Sequence, residues 1–232
     1  MLKALKSLSA HRYLLGFGFL MVFLSGHGQT FLLSLYGGVL REAFALSHSA
    51  FGGLYSLATL MSGMLVIWLG RGVDRMALGR FTTGVIAGAA CGGLLLAGAQ
   101  AAWMLVPAFL LLRLCGQGLM VHVAQTTVAR RIEHRRGSAI SVITLGFPLG
   151  EAVLPASVVG LMAMLGWRAS WVLLAGLLLL LALPLALWLI RAEAATRPAL
   201  ASSSAPGSGD AKKEGAPEWE GWSRGEVRKD RR

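Results

Sequence analysis

Long apolar runs separated by short charged turns constrain this chain more than any other feature. The run AFGGLYSLATLMSGMLVIWLG (50–70) leads into the turn GRGVDRMALGR (70–80), and FTTGVIAGAACGGLLLAGAQ (81–100) follows. Each run has the ~20 apolar residues that a helix needs to cross the ~30 Å hydrocarbon core of a bilayer. The turn carries Arg71, Asp74, Arg75 and Arg80. A basic turn between two spans belongs on the cytoplasmic side of a membrane.

Four further runs, 13–39, 103–129, 138–165 and 171–190, repeat the pattern. The expected fold is therefore an all-α membrane protein with six transmembrane helices over 1–190. Residues 191–232 are expected to form a cytoplasmic, disordered linker or tail, because ALASSSAPGSGDAKKEGAP has the composition of a flexible chain. The first run exceeds the 7–15 residues of a signal-peptide core and lacks an A-x-A cleavage site, so it is expected to remain as helix 1. In helix 2, Gly52, Gly53 and Gly63 are expected to allow close helix packing. Trp103 fits an interfacial anchor at the turn between helices 3 and 4.

Charge placement supplies the topology. The net charge is +11, yet only 14% of residues are charged and 55% are hydrophobic. Of the 22 Lys and Arg residues, 19 fall in 1–12, 71–80, 130–136 and 191–232. Those four segments share one side if each run spans once. Arg41 and Arg168 fall on the other, and Arg113 lies within a run. The bias puts both termini in the cytoplasm of a multi-pass protein of the plasma (bacterial inner) membrane. It also argues against a nucleic-acid partner, because the cations form loop clusters and no basic face.

Arg113 and Glu151 are the charged residues deep in apolar runs. Charges at that depth are costly, so they face an interior or a cavity and find partners. Counted from the loop RRIEHRRG (130–137), Arg113 and Glu151 sit about 26 and 21 Å along their helices. Two readings stand side by side: a cavity arginine that takes an anionic group, and a structural buried pair. At 100° per residue, Arg113, Gln117, Met120 and Ala124 share one face of helix 4, with His122 opposite. On helix 1, Ser25 and Gln29 share a face, and His27, Thr30 and Ser34 take roughly the opposite one. His27 is either a functional intramembrane group or a satisfied core histidine, and the hydroxyls either line a cavity or bond the backbone one turn back. Cys91 and Cys115 read as reduced packing residues. Glu133 and His134 read as a solvated loop, and Trp219 and Trp222 as interfacial or tail residues. Metal-ligand spacing, cofactor motifs and the usual catalytic signatures are missing, so the expected reading is not an enzyme, with no cofactor and no metal.

The spacing Gly70, then Asp74-Arg75, then Gly79-Arg80 resembles the signature loop between helices 2 and 3 of the major facilitator superfamily, with the second Gly-Arg two residues late. RLCGQG (113–118) resembles the family's helix-4 pattern, with its glutamine one place late. GFPLGE (146–151) is similar to the helix-5 pattern of its antiporters, with a displaced proline. GWRASW (166–171) resembles its turn between helices 5 and 6. The tail EGWSRGEVRKDRR (220–232) looks like the segment leading into a seventh helix. The resemblance implies an N-terminal six-helix half built as 3+3 inverted repeats, plus the central linker. It implies a secondary-active symporter or antiporter of a small molecule, with a proton or other coupling ion, membrane lipid and a missing second half as partners. Arg113, Gln117, Glu151, His27 and Gln29 are the cavity candidates, and an anionic substrate fits Arg113. Gly70, Asp74, Arg75, Gly79 and Arg80 would form the cytoplasmic gate. The chain is then a fragment, a truncated product or a working half. A non-transporting subunit that pairs with another six-helix half is the alternative.

Overall fold

A computed structural model describes residues 11–132 and 135–203, and every regular element among them is helical. Residues 204–232 of the linker expected over 191–232, with Trp219 and Trp222, and the loop residues Glu133 and His134 lie outside the described residues. Among the described residues, five segments are long and apolar enough to cross a membrane. Four match expectation closely: Arg12–Leu35, His48–Leu69, Leu78–Ala97 and Ala102–Arg131. The fifth, Arg136–Thr196, has 61 residues. That is about 90 Å of helix, three times the hydrocarbon core.

The long segment folds back on itself. Gly166 has φ +77°, in the left-handed region that only glycine enters without penalty. Before it, Ile143 lies at Gly18 and Leu154 at Gly26, so this limb runs parallel to the first segment. After it, Trp171 lies at Gly93, Leu187 at Gly79 and Leu189 at Gly16, so the chain returns. Arg168 fixes the reversal: its Nη1 donates to the carbonyls of Ala97 and Ala99, both at 2.7 Å, and its guanidinium covers the Trp167 ring. These carbonyls end the Leu78–Ala97 helix, where intrahelical donors run out. Tyr36 clasps the same corner, bonding Ser170 at 2.9 Å and stacking on Trp171.

In chain order the helices are α1 (Arg12–Leu24), α2 (Thr30–Leu35), α3 (Gly37–Ala43), α4 (His48–Leu69), α5 (Gly72–Arg75) and α6 (Leu78–Ala97). Then follow α7 (Leu105–Leu111), α8 (Val121–Arg131), α9 (Arg136–Thr144), α10 (Gly146–Leu177) and α11 (Leu183–Ser203). One apolar cluster joins Leu14, Phe17, Ile86, Met120 and Ile143 at the N-terminal end of the bundle. A second joins Leu33, Tyr36, Leu105, Phe109 and Trp171 at the other. Helix α4 lies on the outside, with only Ala58 and Ser62 buried. Its exposed Leu60, Met64, Ile67 and Trp68 form the apolar surface expected of a helix facing hydrocarbon.

Four expectations need correction. Helix 1 is not continuous over 13–39: Ser25–Gly28 is a 3-10 turn, Gln29 is extended (ψ 150°), and α2 and α3 follow as short pieces. Helix 4 carries a nine-residue π segment, Leu112–Met120. Helix 6 does not stop at 190: α11 continues to Ser203, with Glu193 buried and 3.5 Å from His11. The close packing expected at Gly52, Gly53 and Gly63 does not occur, for nothing comes within 4 Å of a Cβ at any of them. These glycines fall on the outer face of α4. The described residues up to Pro198 form one compact unit.

Candidate functional site

Helices 1 and 4 cross where both are irregular. Gly28, at the end of the 3-10 turn, meets Gly116 in the π segment so closely that a Cβ on Gly28 would strike the Leu112 carbonyl oxygen and come 2.6 Å from Gln117 N. Only glycine permits that approach. The break also strips backbone groups of their usual helical partners. Gln29 O accepts from both Leu32 and Leu33, whereas Gly28 O is reached from helix 4.

Arg113 reaches it. Its Nη1 donates to Gly28 O at 3.3 Å and to Thr30 Oγ1 at 3.0 Å. Thr30 in turn bonds Tyr55 OH at 2.9 Å, and the guanidinium lies 5.3 Å from the Tyr55 ring centroid. Three elements, the broken helix 1, α4 and the π segment, thus converge on one cation. Arg113 is only 8% exposed, and among the described residues its Nε has no hydrogen-bond partner and no carboxylate lies within 4 Å of it. A buried guanidinium without a counter-ion is an expensive arrangement unless an anion joins it. Beside it opens a cavity of about 150 Å³ lined by Thr30, Leu33, Ser34, Phe51 and Tyr55.

The Arg113–Glu151 pair does not form. Gly146 and Gly150 turn their bare faces to Phe19 and Phe23 of α1. Glu151 follows Gly150 by one residue, is rotated about 100° off that interface, and is exposed. Gln117 and Gln29 are half-buried near the crossing, Gln117 through its backbone against Gly28. His27 is buried, and its Nδ1 donates to Leu24 O at 2.9 Å, a local bond that fits the core-histidine reading. Ser25 and Ser34 likewise bond the backbone one turn back. On the helix-4 face expected to line a cavity, Arg113, Met120 and Ala124 are buried and Gln117 is half-buried, while His122, expected opposite, is exposed.

Residues 18–231 match the family model of the Major Facilitator Superfamily. The chain belongs to this family of membrane transporters. No curated protein and no solved structure matches it.

In this facilitator the signature loop begins where α4 ends. Gly70 is buried and its carbonyl accepts from His122 Nε2 at 3.0 Å. Gly72–Arg75 forms a single helical turn, with Gly72 against the Phe81 ring. Arg71 stacks on Trp68, Arg75 and Arg80 are exposed, and Gly79 faces Leu187. The Asp74 side chain is not among those described. Sequence reasoning misses three working residues. Tyr55 carries no signal in an apolar run. Arg168 sits inside a motif that reads only as a turn. His122 is read only as lying opposite the cavity face, with no sign of its bond to Gly70.

Proposed function

We propose that this facilitator is the N-terminal six-helix half of a secondary-active transporter, and that Arg113 binds the anionic group of its small-molecule substrate. The observation that carries this reading is the buried guanidinium itself. It is held by Gly28 O and Thr30, lacks a carboxylate partner among the described residues, keeps a free Nε and adjoins the opening at Ser34 and Tyr55. Six spans follow if the fold-back at Gly166 is a turn at one membrane face. The ends of α1, α4, α8 and α11 nearest the Lys/Arg-rich loops then lie in the cytoplasm of a bacterial inner membrane. A second six-helix half would close the other wall of the cavity, the residues after Ser203 would serve as the linker, and a proton or other ion gradient would drive transport. Asp74, Arg75 and Arg80 act as the cytoplasmic gate against that second half.

The test is ligand-dependent thermal stability of the purified chain in lipid nanodiscs. A panel of small carboxylates and phosphates, with neutral amide and alcohol analogues, is added to wild type and to Arg113→Gln. Expected is stabilisation of the wild type by at least one anion and by none of its neutral analogues, lost in Arg113→Gln. Stabilisation by neutral compounds alone, or unchanged in the variant, rules out the anion reading.

A further inference from the structure

We infer that His122 is a positioning residue that ties the 70–80 loop to helix 4, so that the loop follows the helix bearing Arg113. The inference deepens the proposed function, and rests on it only for the purpose of the movement. The tie itself stands on geometry. Gly70 ends α4, and its oxygen accepts both from Val73 N at 3.3 Å, inside the loop, and from His122 Nε2 at 3.0 Å, across from helix 4. A carbonyl only accepts, so Nε2 carries the proton. One turn back along helix 4, Gly118 lies against Val66, one turn back along α4, in a space that a Cβ would fill. The last turn of α4 is therefore fastened to helix 4 at two successive levels.

Helix 4 between Arg113 and His122 is mostly the π segment, Leu112–Met120. π turns inside an α-helix recur at functional sites and mark places where register can shift. His122 lies nine positions beyond Arg113, about 13 Å along the axis. A shift of this segment when an anion reaches Arg113 would move His122, and through the Gly70 carbonyl the base of the loop. Val73, in the α5 turn, is half-buried against the core, so it reports whether the loop is seated. The 200 Å³ cavity between the loop and α8, lined by Val73, Met76 and Thr127, gives it room to lift.

The experiment measures thiol labelling of Val73→Cys in the full chain in nanodiscs, with Cys91 and Cys115 replaced by serine. His122→Phe keeps a ring of similar size and removes the donor. His122→Gln keeps a donor. Expected is labelling about five-fold faster with His122→Phe, the change that loss of one hydrogen bond of ~1 kcal/mol produces, and labelling near the parent rate with His122→Gln. Equal rates in all three proteins, or equal acceleration by Phe and Gln, overturn the inference. Neither result touches the anion reading, which the Arg113→Gln stability test decides separately. Should His122→Phe fail to reach the membrane, His122→Asn supplies the second variant: its shorter amide falls short of Gly70, and it must label faster than His122→Gln.

Discussion

The crossing of Gly28 with Gly116 and the helix Leu78–Ala97 use the same raw material to opposite ends. Both are rich in glycine and small residues, and both are buried. Helix α6 stays regular over 20 residues, satisfies its own backbone and presents a passive packing face to Leu112, Trp171 and Ala175. The crossing gives up regularity on both sides, a 3-10 turn facing a π segment, and leaves a carbonyl for a charged side chain. Small residues let helices approach, but breaking the ladder is what makes an approach into a site. In lipid, a freed backbone group has no water to turn to, so the break demands a donor and Arg113 supplies it.

The largest expected effect tests that comparison directly. Gly28→Ala drives a methyl into the backbone of helix 4, an overpacking that typically costs ~1–3 kcal/mol and more against rigid backbone. Gly84→Ala on α6 meets nothing within 4 Å and should gain ~0.5–1 kcal/mol by removing a flexible residue from a helix. Reversible unfolding in mixed detergent, followed by circular dichroism, reads both; similar responses at the two sites would erase the distinction.

The two arginines come next. Arg168→Ala removes two bonds to the carbonyls that end α6, each charge-assisted bond being worth ~1.5–3 kcal/mol, and should lower stability without altering ligand response. Arg113→Ala should abolish the response to anions at a smaller cost in folding, because it also relieves a buried cation. A reversed pattern, with binding lost only in Arg168→Ala, would move the site to the other end of the bundle.

Thr82 sharpens the contrast from the passive side. Its Oγ1 is buried in α6 and has no partner among the described residues. Thr82→Val removes a desolvated hydroxyl at constant shape and should stabilise by about 1 kcal/mol. Thr30→Val, whose hydroxyl receives Arg113 and meets Tyr55, should do the reverse. A double-mutant cycle with Tyr55→Phe should give a coupling of roughly 0.5–1 kcal/mol between the two. Zero coupling would show that Thr30, Tyr55 and Arg113 are neighbours rather than a network.

Much of the fold is legible in the lengths of the apolar runs. Runs of ~20 apolar residues allow few solutions in a bilayer, because hydrocarbon forces the backbone to bond within itself. Gly70, Asp74, Arg75, Gly79 and Arg80, in their order, also lead to the family, which the match over residues 18–231 establishes. Arg113 stands out for a similarly local reason: a cation inside an apolar run is costly wherever it points.

What it touches is another matter. Period counting assumes one rotation per residue, and that holds along α6 but not through the 3-10 turn or the π segment. On helix 4 the count still sets Met120 and Ala124 on one side and His122 on the other, as observed, but it does not show that His122 meets Gly70. Glu151 is lost as a partner for a related reason: helix 5 lays Gly146 and Gly150, rather than its carboxylate, against helix 1. The sequence by itself determined that this chain is helical and belongs to the membrane, since those follow from composition and run length. Only the tertiary structure decided the partners of Arg113 and the anchor of the signature loop. Both depend on where two helices break as they cross, and that is set by contacts between residues more than 80 positions apart, such as Gly28 and Arg113.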